Sequence, residues 1–96
     1  MRKYEIMYIL RADLDETARK ETMDKLAAIL TSNGGKVENT DESMGLRELA
    51  YPIKDQTKGY YVVLKVSMDN VAINEFNRLV RINPSVLRHL IVVDHK

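Results

Sequence analysis

Apolar side chains fall on every second residue from Tyr4 to Leu10: Tyr4, Ile6, Tyr8 and Leu10 share one side, and Glu5, Met7 and Ile9 the other. This is the two-residue period of a strand. The period then changes. Met23, Leu26, Ala27 and Leu30 recur at helical spacing, Asp15 stands where an N-cap belongs, and Asn33-Gly34-Gly35 offers a left-handed stop. A strand therefore runs into a helix that must cover it.

Lys36 to Ile53 reads as a long strand with an acidic middle (Glu38, Asp41, Glu42) and a bend or bulge near Gly45. Pro52 cannot donate to a ladder, which places this strand at a sheet edge. Lys54 to Gly59 forms a polar turn and Tyr60 to Met68 the next strand, so the short connection predicts an antiparallel hairpin. Asp69 or Asn70 caps a second helix with Ile73, Phe76, Leu79 and Val80 as its stripe. Asn83-Pro84 closes it, and Val86 to Asp94 is the last strand. Strand, helix, strand, strand, helix, strand is the split βαβ order, an α+β class with a four-stranded antiparallel sheet and both helices on one face.

With 96 residues there is enough chain for one core, and residues 1–96 read as a single domain. Cysteine is absent, which excludes disulfides, thiolate catalysis and Cys-based metal sites and is compatible with a reducing cytoplasm. Met1-Arg2-Lys3-Tyr4 leads straight into the alternating strand, so neither a signal peptide nor a membrane span is expected, and Asn83-Pro84-Ser85 has the proline that forbids glycosylation. Fifteen basic residues against fourteen acidic ones leave a net charge of +1. Any binding to nucleic acid must come from a local patch, because no overall positive field exists.

Chemistry is hard to place on these residues. The sequence contains no nucleophile elbow, phosphate loop or His-rich metal motif, so neither an enzyme nor a cofactor is expected. His89 and His95, six positions apart, are poor metal ligands and read as solvated or RNA-facing. Asp41 and Glu42 are adjacent on a strand and point to opposite faces, so they read as a charged edge rather than a catalytic pair. Lys58-Gly59-Tyr60-Tyr61-Val62-Val63 partly imitates the base-stacking motif of RNA-recognition domains. However, Tyr60, at the stacking position, shares parity with Val62, Leu64 and Val66, the set that faces the helices.

The same parity argument sends Leu90 and Val92 to the helix side and leaves Met7, Ile9, Tyr61, Val63, His89, Ile91 and Val93 on the open face. That face is too apolar for water and predicts a protein partner. The edge strand Leu46 to Tyr51, with Leu46 and Glu48, offers backbone groups for strand addition. The candidate interface is Met7, Leu46, Glu48, Tyr61, Val63 and Ile91. For RNA the candidates are Arg2, Lys3, Arg47, Arg81, Arg88 and His89, since guanidinium groups suit phosphate oxygens.

Gly45-Leu46-Arg47-Glu48-Leu49-Ala50-Tyr51-Pro52-Ile53-Lys54 resembles the signature of the bacterial small-subunit ribosomal protein six family. Met1-Arg2-Lys3-Tyr4-Glu5 and Lys58-Gly59-Tyr60 are similar to that family too, in the same order. The resemblance spans essentially the whole chain. It implies a ferredoxin-like domain that pairs with small-subunit ribosomal protein eighteen and binds the central domain of small-subunit ribosomal RNA during assembly. Some relatives carry a C-terminal extension, whereas this sequence stops at Asp94-His95-Lys96 just after the last strand, so the resemblance does not extend to a contact made by such a tail. Within the motif, the alternation of Leu49, Tyr51 and Ile53 reads as core-facing. The rival readings are an RNA-recognition-type binder of single strands and a dimeric small-ligand sensor; the latter would need a pocket with converging polar groups.

Overall fold

In a computed structural model, which describes residues 2–94, the order of elements is β1 (Arg2–Arg11), α1 (Glu16–Ser32), β2 (Lys36–Ile53), β3 (Gln56–Met68), α2 (Asn70–Arg81) and β4 (Val86–Val93). The strands form one antiparallel sheet in the order β2-β3-β1-β4. The ferredoxin-like α+β reading holds, with β1 and β3 in the middle.

Local chemistry sets the boundaries. The Asp15 carboxylate accepts the Ala18 N–H at 2.7 Å and caps α1. At the far end Gly34 adopts φ +84°, and the Gly35 N–H reaches back to the Leu30 carbonyl at 2.8 Å. The β2–β3 turn is tighter than expected. Ile53 pairs with Gln56, leaving only Lys54 and Asp55 between them, both at positive φ (49° and 65°). That is the backbone of a type I′ turn, whose twist matches the strands it joins, so β3 begins four residues before Tyr60.

Tyr8, Ile6 and Leu10 from β1, with Val62, Leu64, Val66 and Met68 from β3, make the sheet side of the core. Leu26 and Leu30 of α1 and Ala72, Phe76 and Val80 of α2 close over them. The Tyr8 hydroxyl is buried there without a hydrogen-bond partner among the described residues.

Two alternations depart from the sequence reading. In β4 the register jumps from Ile9 opposite Arg88 to Leu10 opposite Val86, leaving Leu87 as an extra residue. Val86 and Leu87 are both buried in succession, and this bulge reverses the parity of everything after it. His89 and Ile91 therefore pair with Tyr8 and Ile6 on the helix side, while Arg88, Leu90 and Val92 take the open face. Val93, opposite Tyr4, also leaves the predicted open set.

The second departure is in the hairpin. β2 spends 18 residues where β3 uses 13, with register shifts after Val37, Asp41 and Glu48, and Gly45 at φ +57° in the middle shift. A strand with extra residues bends. The far end of the hairpin reaches across β1 to β4: the Lys54 ammonium donates to the Val86 carbonyl at 3.3 Å, and an Arg88 guanidinium N–H donates to the Tyr51 hydroxyl. Leu49, Tyr51 and Ile53 thus do not enter the core. Leu49 and Ile53 are half-buried and Tyr51 is exposed.

Candidate partner and nucleic-acid interface

Residues paired across an antiparallel ladder share a face, so the register gives the open face row by row. Tyr61, Ile9 and Arg88 form one row, Val63, Met7 and Leu90 the next, and Lys65, Glu5 and Val92 the third. The first two rows surround a shallow depression of about 230 Å³ lined by Met7, Ile9, Tyr61, Arg88, His89 and Leu90. Leu90 is 54% exposed and Val92 44%, against 7% for Ile9. Ile9 packs against the backbone of Gly59, with Leu49 on the same side of that glycine, at the bent end of the hairpin. On the open face, the large apolar side chains left most exposed are therefore Leu90 and Val92.

Charge frames this patch. Beyond the third row, the Lys3 ammonium lies 4.0 Å from Glu38, whose carboxylate also accepts from the Ser67 hydroxyl. The Ser67 bond chiefly, and Lys3 after it, hold the Glu38 carboxyl below its usual range. Along β2, Glu38, Asp41, Glu42 and Glu48 combine with the register shifts to guard that edge against unwanted strand pairing. β4, the other edge, carries only Arg88 and His89 among apolar residues.

The interface residues named from the sequence are only partly together. Met7, Tyr61 and Val63 lie side by side on the open face. Leu46 and Glu48 pair with Tyr60 and Lys58 on the helix side of the edge strand. Ile91 packs half-buried against the core, a correction forced by the β4 bulge. Leu90 and Val92 were missed for the same reason; the doublet Val86-Leu87 ahead of them was the available signal of a broken alternation.

The basic candidates separate as well. Arg2 and Lys3 open β1, while Arg47 and Arg88 lie at its other end, opposite Gly59 and Ile9. At about 3.3 Å per residue, the two groups are about 25 Å apart. Arg81 ends α2 and is exposed. His89 is corrected from the open face to the helix side, where its Nε2 hydrogen-bonds Asn77 Oδ1 at 2.8 Å and its ring meets Phe76 edge to face at 6.1 Å. Burial first, and Arg81 second, push its pKa down. His95 lies outside the described residues.

Tyr60 likewise faces the helices. Its hydroxyl donates to Glu42 Oε1 at 2.9 Å, and the Arg19 guanidinium sits 4.3 Å from its ring centre. It is a strut between α1 and β2, not a base-stacking surface. Among the described residues no three His, Asp or Glu side chains gather as metal ligands, and no helix is long and apolar enough to cross a membrane.

A family model described as ribosomal protein S6 matches residues 3–93. The chain belongs to the ribosomal protein S6 family. The crystal structure of 30S ribosomal protein S6 from Thermotoga maritima superposes with a TM-score of 0.89 at 26% identity, covering 97% of this chain and 87% of that one. S6 membership makes this a small-subunit ribosomal protein, a structural component by family. In this S6 domain the Gly45–Lys54 segment is the bend and folded-over end of the β2–β3 hairpin.

Proposed function

We propose that this protein binds the central domain of small-subunit ribosomal RNA as a heterodimer with small-subunit ribosomal protein eighteen, in the cytoplasm, during assembly of the bacterial small subunit. The observation that carries the reading is the contiguous apolar open face of Met7, Val63, Leu90 and Val92, bounded by charged rows. Covering a half-exposed leucine is worth about 1 kcal/mol, and several such side chains in one patch favour a protein over water. Protein eighteen is the partner implied by the family resemblance. With a net charge of only +1, the chain gains from sharing the phosphate contacts with a partner.

Both rival readings find less support. A single-strand binder of the RNA-recognition type would need Tyr60 on the open face, and it is tied to Glu42 and Arg19 instead. A ligand sensor would need converging polar groups, and besides Arg88 and Tyr61 the depression has only His89, whose Nε2 is bonded to Asn77, over the apolar Met7, Ile9 and Leu90.

The test is to measure heterodimer formation with Val63→Asp. The reading requires weakened association by a chain that still melts cooperatively; unchanged association removes the open face as the docking surface.

A further inference from the structure

The hairpin end has a feature that docking on the open face does not use. Tyr51 is 54% exposed, yet its position is fixed twice over. Arg88 donates to its hydroxyl and places its guanidinium 5.9 Å from the ring centre, and Lys54, three residues on, is bonded to the Val86 carbonyl. An exposed aromatic ring held still by a strand from the other edge of the sheet loses little freedom when something stacks on it.

The surrounding charge fits an anion. Arg47, Lys54, Lys58 and Arg88 share this end of the sheet, with Glu48 and Asp55 as the acids of the same hairpin segment. None of the four cations enters the ion pairs formed among the described residues, which are Lys3–Glu38, Arg11–Asp13 and Arg78–Glu75. An aromatic ring beside cations that form no ion pair among the described residues is the composition of single-strand nucleic-acid sites, where a base lies on the ring and its phosphates meet the cations.

We infer that Tyr51, held by Arg88, is a stacking platform for one unpaired nucleotide of RNA, with Arg47 and Lys54 taking the flanking phosphates. This rests on the RNA-binding reading above and adds a site to it. The signature segment then acts directly in recognition, through the one aromatic side chain it keeps out of the core.

The experiment uses the heterodimer with protein eighteen and a central-domain RNA fragment. Tyr51→Ala is expected to weaken RNA binding about ten-fold, Tyr51→Phe to keep most of the affinity, and Arg78→Ala, which removes a distant and already paired cation, to leave it unchanged. This chain has no tryptophan, so Tyr51→Trp adds a reporter at the site, and the emission it contributes should be quenched as RNA is added. Wild-type affinity in Tyr51→Ala, or an equal loss in Arg78→Ala, overturns the site while leaving the RNA-binding reading intact. A loss of heterodimer formation in Tyr51→Ala with RNA affinity of the assembled pair unchanged makes Tyr51 a protein contact and also overturns it. Absence of RNA binding by the wild-type pair is the separate failure of the function itself.

Discussion

Gly59 lies against Ile9: a β-carbon at position 59 would collide with Ile9 Cγ2 and sit 3.3 Å from Leu49 Cδ2. The missing side chain leaves room for Ile9 and Leu49 to approach Gly59 on the face away from the helices, where the hairpin bends over the sheet. Gly59→Ala should therefore cost about 1–3 kcal/mol through overpacking. Denaturant titration checks this, and a double-mutant cycle with Ile9→Ala should show sub-additive losses. Full additivity would mean that the two side chains do not compete for space.

Tyr8 presents the opposite situation, a hydroxyl in the core with no partner among the described residues. Burial, with Glu42 and Asp24 adding to it, raises its pKa well above the ordinary tyrosine value. The unfolded chain releases this proton near pH 10 and the folded one does not. The contribution is thus intact below pH 10 and is lost as pH rises toward the folded pKa. Tyr8→Phe should leave neutral-pH stability within about 1 kcal/mol of wild type or above it and flatten the alkaline fall, as read by urea titrations at pH 8 to 11.

His89 works in the acid direction. Its pKa is lowered by burial and by Arg81, so the folded state resists the proton that the unfolded imidazole accepts near pH 6.5. Stability should be fully present above that pH and decline as pH falls toward the folded pKa. His89→Gln should lose this part of the acid dependence; an unchanged profile would mean the ring is not held against α2.

The parity of β4 has a direct test. Leu90→Asp should fold with stability close to wild type, because its side chain is already about half in water on the open face. Ile91→Asp should lose about 2 kcal/mol or more by placing a charge against the core. The reverse order would show that the bulge at Leu87 is misplaced.

Most of the architecture was legible because periods of two and 3.6 residues leave different marks. Tyr4 to Leu10 and Tyr60 to Met68 alternate cleanly, and Asp15 and Gly34 punctuate α1 as their chemistry requires. What could not be read came from places where a ladder gains a residue. Val86 to Val93 is apolar on both faces, so the sequence carries no cue to parity beyond the Val86-Leu87 doublet, and an unbroken alternation puts His89, Leu90, Ile91, Val92 and Val93 on the wrong sides. The fate of Tyr51 depended on the folding-over of the hairpin, a product of several shifts spread along β2. The basic candidates carry no periodicity, and their separation into two ends follows only from the sheet order.

The central claim is that this S6-family domain reaches RNA together with a partner on its open face. Its most direct test is the affinity for a central-domain ribosomal RNA fragment, measured with and without protein eighteen at fixed salt. The account predicts tight binding only when both proteins are present, with the gain lost in Leu90→Asp. Equal affinity for the lone chain and the pair would contradict it.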